Sequence, residues 1–539
     1  MDATPDPARP ARGAWALAVG LFVLVLGLYL PSGNFPFVEY DDPAYVRDNP
    51  HLAEGLDGAT VAWAFTSTDY QYNWHPLTWL SHALDVELFG RAEAGPHHLV
   101  NVVLHGLVAA LLFLALLALT RERLLAFFAA ALFALHPLRV ESVAWISERK
   151  DLLAGLGFVL TLLAYARHAR APSPRSLALV LGALVLGLLA KPTLVTLPAL
   201  LLVLDGWPLG RLGREPLRRL VGEKLVLFVP CLLVSLLTVV AQRTGGALNS
   251  AIDLGERLEN APLAYLTYLR QLVWPFDLAV FYPHPALLEP EGSRAGAALL
   301  AALVLALLLG LAWRLRQRAP AAWTGLVWFL GVLVPMIGLV QVGNLAHADR
   351  YMYLAGIGPE LAFASGTLAL ARARPALARP LALGAVLVLA ALFARSRAQL
   401  GVWRDSRTLF EHALAVTERN WVAHNQLGLV LGQAGDPGAV AHFEAARTAL
   451  PGFFEAELNL GKARYALGEY EAARAALERA LAVRPTSGEA RLCLAFVHVR
   501  LDAADAARSA LEQALRDEPA LHEDSRVPRL RQLLEEEVR

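Results

Sequence analysis

The sequence predicts an all-α chain: a polytopic helical membrane domain over residues 1–400, followed by a helical-repeat α-solenoid over residues 404–539. Three observations lead there. Hydrophobic residues fill 56% of the 539 positions and charged residues 18%, against about 45–50% and about 25% in soluble domains. The apolar excess, which gives a mean hydropathy of +0.44, lies in long blocks before residue 400. Beyond residue 404 the chain turns polar and alanine-rich, with landmarks that recur every 34 residues.

An apolar run of about 17–22 residues is long enough to cross a hydrocarbon core of about 30 Å. Eleven such blocks are read: 14–31, 97–119, 123–137, 152–168, 176–190, 192–205, 224–241, 296–313, 322–341, 355–371 and 380–396. The third, fifth and sixth are short. The first is not a cleavable signal: its apolar run is too long, and Pro31-Ser32-Gly33-Asn34 lacks a small-x-small cleavage pattern.

Alternate loops differ in charge. One set carries Arg9 and Arg12; Arg121 and Arg123; Arg167, Arg170 and Arg175; Arg211, Arg214, Arg218, Arg219 and Lys224; Arg314, Arg316 and Arg318; and Arg372, Arg374 and Arg379. The other set is longer and poorer in cations. The positive-inside rule then puts the N-terminus in the cytoplasm, and eleven spans put the repeats outside, on a multi-pass protein of the inner (cytoplasmic) membrane. Only four of the 48 basic residues are lysine, the signature of a GC-rich genome and so of a bacterium.

The tail keeps its period at several positions. Pro451, Pro485 and Pro519 are 34 apart, as are Ala446, Ala480 and Ala514. Leu427, Leu460 and Leu494 follow, with Gly428, Gly461 and Ala495 beside them. Small residues let two helices of a repeat close on each other, and proline stops the second. The pattern resembles the tetratricopeptide repeat over about 420–519, with a lone helix at Trp403–Thr417 before it and a capping helix at 520–539. Such a stack offers a concave surface for a peptide or protein; the alternative is a spacer or oligomerisation module.

Net charge is zero, with 48 basic and 48 acidic residues, so no global basic field points to nucleic acid. Cys231 and Cys493 sit in settings that argue against a disulfide, and no Cys/His cluster has zinc spacing. No metal ligand set is assigned, no cofactor is obligatory, and no Gly-rich phosphate loop or serine nucleophile elbow is present.

Three clusters on the outer loops carry chemistry. Glu39-Tyr40-Asp41-Asp42 follows the first block closely. Adjacent carboxylates repel, which raises one pKa. Asp41 or Asp42 could act as general base on a hydroxyl or hold a divalent metal; as the alternative, Asp41-Asp42-Pro43 caps a short helix. The second cluster runs from His136 to Asp151. If helical, it brings Glu141, Trp145, Glu148 and Arg149 near one face. There Arg139, Arg149 and Lys150 could hold a lipid phosphate, since arginine offers a planar fork of donors; otherwise they anchor the interface. His347-Ala348-Asp349-Arg350-Tyr351 is the third, with Arg350 facing the same phosphate and His347 and Asp349 in support, as His136 and Glu141 are in the second. Lys191-Pro192-Thr193 reads as a snorkelling lysine beside a helix-bounding proline.

The order of these motifs is similar to that of the transmembrane and tetratricopeptide-repeat protein O-mannosyltransferases and their bacterial relatives. The resemblance rests on Tyr40-Asp41-Asp42-Pro43, Trp74-His75-Pro76-Leu77-Thr78-Trp79, His98 to His105, His136-Pro137 to Glu141, Glu148-Arg149-Lys150-Asp151, Lys191-Pro192-Thr193, Asp205-Gly206-Trp207-Pro208, Ala348-Asp349-Arg350-Tyr351 and the repeats. It implies a GT-C glycosyltransferase fold. It also implies transfer of one sugar, mannose in relatives, from a polyprenyl-phosphate donor to a protein acceptor recruited by the repeats. Asp41 and Asp42 map to the family's acidic pair. Arg149, then Arg139 and Arg350, are the expected partners of the donor phosphate. Two other readings stay open: a membrane-anchored repeat scaffold, and a transporter of lipid-linked sugars.

Overall fold

A computed structural model describes residues 12–68, 70–244, 252–288, 293–341 and 343–536. Arg9, residue 342 and the last three residues of the expected capping helix lie outside them. Every regular element among the described residues is helical. The chain divides into one unit formed by 1–280 and 291–405 and a second formed by 281–290 and 406–539.

In the first unit each of the eleven apolar blocks meets a helix, but the ninth, 322–341, is helical only as far as Leu333. Six helices are long and apolar enough to cross a membrane: Gly13–Asn34, Ala94–Thr120, Ile146–Arg170, Leu217–Arg243, Ala295–Leu315 and Pro375–Val402. Two bent pairs add to them, Arg123–Leu135 with Pro137–Ala144 at 63° and Asp349–Ala355 with Ile357–Ala373 at 55°. Pro174–Ala190, Pro192–Gly206 and Pro320–Leu333 are apolar but shorter. This is the helix set of a multi-pass membrane protein.

Proline explains two of the breaks. It lacks an N–H and pushes the preceding residue out of the helical region. His136, before Pro137, has φ −76° and ψ 135°; Lys191, before Pro192, has φ −158° and ψ 136°. Each break sets a polar residue where two helix ends meet. Elsewhere the helices run close together. A Cβ on Gly157 would lie 2.4 Å from Cα of Gly187, so Arg149–Arg170 and Pro174–Ala190 touch backbone to backbone, a contact that only small residues allow.

The arginine-rich loops meet at one end of this unit. Arg170 donates to the carbonyl of Ala118, and Arg372 pairs with Glu122. The long loop at 32–96 is more structured than its composition suggests. It holds helices Gly58–Thr66 and Pro76–Phe89 and a core of its own around Tyr45, Val46, Leu52, Trp79 and Val86, which also packs on Ile146. The loop at 242–295 contains a 20-residue helix, Leu254–Val273, opened by a capping box between Asp253 and Glu256.

The second unit stacks three helix pairs: Trp421–Gln433 with Gly438–Ala449, Phe454–Ala466 with Tyr470–Val483, and Gly488–Arg500 with Ala504–Asp517. Ser406–Val416 precedes them and Arg526–Glu536 caps them. Pro451, Pro485 and Pro519 each stand two residues past a second helix. The small residues pack as their spacing implied: Gly428 faces the Phe443 ring, Gly461 faces Leu477, and a Cβ at either would come within 2.7 Å of that side chain.

Candidate functional site

The acidic pair splits into two different environments. Asp42 is fully buried. Its Oδ2 accepts the Val38 amide at 2.9 Å and its Oδ1 the Ser147 amide at 2.9 Å. Asp41-Asp42-Pro43 does open a short helical turn, Pro43–Arg47, but the Asp42 side chain makes no cap hydrogen bond to it. Burial raises its pKa to about 7, with the two amides working against that rise. Asp41 is half-buried, and its carboxylate takes no hydrogen bond from a described residue. Burial raises its pKa too; Lys150 lowers it, Glu148 raises it, and Arg350 lowers it.

Those three charges belong to a dense cluster. Glu148 is nearly sealed from solvent and is approached by three cations: Nζ of Lys150 at 3.0 Å, Nζ of Lys191 at 3.2 Å and Nε of Arg350 at 3.4 Å. Lys191 also pairs with Asp151 at 2.6 Å, and Ser142 donates to the other oxygen of Asp151 at 3.0 Å. Glu141 holds Arg350 twice, through Nη1 at 2.6 Å and through the Arg350 amide at 2.8 Å. Aromatic faces close the group. Tyr40 stacks on Trp145 with centroids 5.4 Å apart, the Arg350 guanidinium lies 5.5 Å from the Trp145 ring, and the Lys150 ammonium lies 4.6 Å from the Tyr45 ring. Cations over aromatic faces in a low-dielectric setting are held firmly in place.

The segment is not one helix, the condition on which Glu141, Trp145, Glu148 and Arg149 would share a face. Val140–Ala144 ends at Trp145, which is extended at φ −85° and ψ 115°, and a 3₁₀ turn at Ile146–Glu148 leads into the long helix at Arg149. The break resets the register. Lys150 turns toward Asp41 and Tyr45, and Arg149 turns away. Arg149 is fully buried: Nε donates to Asn101 at 2.8 Å, Nη2 to the His97 carbonyl at 2.8 Å, and Nη1 pairs with Asp85. Its donors are taken by protein. Arg139 is likewise sealed, on Glu360 at 2.6 Å and the Met352 carbonyl at 2.8 Å.

The supporting residues also divide. Glu141 is in the cluster. His136 is not: its Nδ1 accepts the Leu138 amide at 3.2 Å and its Nε2 lies 3.0 Å from the Leu272 carbonyl, so it caps the Pro137 turn. His347 packs edge-on against Tyr268, and Asp349 accepts from Gln271 at 3.2 Å. Lys191 and Asp151 enter the cluster although the spacing gave Lys191 a structural reading. The signal was there. A lysine between two apolar runs, with the sixth block too short to span alone, is drawn inward rather than snorkelling out.

Comparison with known proteins gives three results. The family model described as "TPR repeat" matches residues 461–502. Among solved structures the chain is similar to one titled "Crystal structure of APC/C hetero-tetramer Cut9-Hcn1", at 17% identity over 87% of this chain and 94% of that one; its TM-score of 0.25 is too low to bear on the fold. Among curated proteins it is 34% identical over 224 residues to Protein O-mannosyl-transferase Tmtc1 of Drosophila melanogaster, 39% of this chain and 26% of that protein. It is 33% identical over 230 residues to Protein O-mannosyl-transferase TMTC1 of Homo sapiens, 38% and 25%. A third match, to Tmtc2 of Drosophila melanogaster, is 34% identical over 186 residues, 32% and 20%. The chain thus spans about a quarter of the length of the curated relatives it matches. Together with the repeat match they bear out the resemblance drawn from the motifs: over part of its length the chain is similar in sequence to proteins named O-mannosyl-transferases, and it carries a tetratricopeptide-repeat match.

Proposed function

We propose that the chain is a membrane glycosyltransferase that moves one sugar, mannose, from a polyprenyl-phosphate donor to a hydroxyl of a protein acceptor on the extracytoplasmic face of the inner membrane. The observation that carries the reading is Asp41: a carboxylate that takes no hydrogen bond from a described residue, beside the cations Lys150 and Arg350. Transfer of a sugar from a lipid phosphate needs that pairing. The acceptor oxygen must lose a proton as it bonds to the sugar carbon, and the departing phosphate must be stabilised as negative charge builds on it.

In this reading Asp41 takes the hydroxyl proton. The bond from the sugar carbon to the phosphate oxygen breaks, the bond to the acceptor oxygen forms, and polyprenyl phosphate leaves with the electron pair. Arg350, Lys150 and Lys191 face the phosphate. Glu148 and Glu141 hold those cations in position until it arrives. Arg149 acts at one remove, by fixing the start of the helix that carries Lys150. Asp42 ties the first outer loop to Ser147. The repeats present the acceptor, and a lipid donor fits a cluster that lies at helix ends. No nucleotide site is required.

The test is transfer of mannose from polyprenyl-phosphate mannose to a Ser/Thr peptide by purified protein. Asp41→Asn should cut the rate about 10²–10⁴-fold, the scale of general acid–base catalysis, with the protein still folded. Parent-like transfer by Asp41→Asn would move the assignment to a non-catalytic scaffold.

A further inference from the structure

A second polar group lies behind Arg149. His82 and Asp85 sit one turn apart on the helix Pro76–Phe89, on the same face. His97 stands in the first turn of Ala94–Thr120. All three are buried, and one ligand atom from each lies within 4.8 Å of the other two.

The hydrogen bonds leave this group one cation short. His97 Nε2 lies 3.0 Å from the Gly90 carbonyl oxygen. A carbonyl only accepts, so Nε2 carries the proton and Nδ1 is a bare lone pair. That lone pair is buried without a hydrogen-bond partner and faces Oδ2 of Asp85 at 3.3 Å. Two acceptors do not approach in a dry site unless a cation joins them. Arg149 reaches Asp85 through Nη1, but it meets neither imidazole. Neither ring nitrogen of His82 has a hydrogen-bond partner among the described residues. A proton on His97 would settle the contact with Asp85 and leave His82 as it stands.

A metal ion settles all of it. Nitrogen and oxygen ligands at about 2.0–2.1 Å around a tetrahedral ion are about 3.3–3.4 Å apart, the separation found between His97 and Asp85. The bond from His97 Nε2 to a backbone carbonyl is the outer contact that orients metal-bound histidines. Two imidazoles and one carboxylate suit zinc and its first-row neighbours rather than magnesium or calcium, which take oxygen.

We propose that His82, Asp85 and His97 bind one divalent transition-metal ion that fastens the first outer loop to the helix at Arg149. The site holds no group of the transfer reaction and stands independently of that assignment.

The experiment uses full-length protein purified in detergent without a histidine tag, loaded with zinc and desalted. Elemental analysis should find about one equivalent per chain, lost in His82→Gln and in His97→Gln. X-ray absorption at the zinc edge of the parent should show two imidazoles; this measurement decides the matter even if the variants fail to fold. Zinc-free parent protein after loading, zinc retained in both variants, or an edge spectrum without histidine scattering would each overturn the proposal.

Discussion

Asp42 and Ser147 stand 105 residues apart in the chain and are joined by a 2.9 Å hydrogen bond from the Ser147 amide to Oδ1. With the Val38 amide on Oδ2, this bond gives Asp42 two main-chain donors and gives Asp41, its neighbour, none. The pair is therefore asymmetric: one member builds the site and the other faces into it.

Substitution should expose that asymmetry. Asp42→Asn offers one oxygen where two amides point and turns an NH₂ toward the other. A buried donor left without an acceptor costs about 1–3 kcal/mol. Asp42→Asn should lower the melting temperature in detergent, with transfer falling in step. Asp41→Asn should melt like the parent and lose transfer about 10²–10⁴-fold. Equal melting points for both variants would put the two residues in equivalent roles.

The pH profile follows from Asp41. A general base works ionised, and burial raises this carboxyl above its ordinary value of 3.8. Activity should therefore be full at high pH and fall as pH drops through the raised pKa. The acid limb of kcat/KM should lie above the usual aspartate range and should vanish from the residual activity of Asp41→Asn. A limb at the ordinary value would remove Asp41 from the role.

Arginine replacements separate scaffold from phosphate contact. Arg149→Ala removes the guanidinium that Asp85, Asn101 and the His97 carbonyl share, and breaking a buried pair costs about 3–5 kcal/mol; little folded protein should be recovered. Arg149→Lys should fold less stably and keep the parent's KM for the donor. Arg350→Lys keeps a charge and loses the fork, so its donor KM should rise several-fold. Titration of initial rate against donor concentration checks both.

Lys191 is the least expected member of the cluster. Lys191→Met preserves length and removes the cation that Glu148 and Asp151 share. Turnover should fall at least about tenfold, equivalent to about 1.4 kcal/mol of transition-state stabilisation. A parent-like rate would return Lys191 to the snorkelling reading.

Orientation has its own test. A reporter fused after residue 400 should be active only outside the cytoplasm, the outcome expected from the arginine asymmetry together with an odd number of spans. Cytoplasmic reporter activity there would reverse the topology and separate the repeats from any acceptor on the outer face.

The helices were legible because apolar runs and a 34-residue period depend on local sequence alone. The helix Leu254–Val273 was passed over as loop because its surface carries Glu256, Arg257, Glu259 and Arg270; Asp253 followed three residues later by Glu256 was the readable sign of its start. Within the site, the acidic pair and Arg350 were found by residue type. What separates Asp41 from Asp42 is an amide in another segment, which no spacing reveals. What separates Arg149 from Lys150 is the break at Trp145, which sets the register of the helix that follows. Both distinctions are tertiary.

The contact between Gly157 and Gly187 also sets a dimension. Helices that meet backbone to backbone leave no side chains between them to repack, so Arg149–Arg170 and Pro174–Ala190 move as one body. Lys150 begins the first and Lys191 ends the second. Their spacing about Glu148 is thus a fixed gauge. In the proposed reaction the donor phosphate has to match the width of this jaw, which the main chain sets where Gly157 meets Gly187.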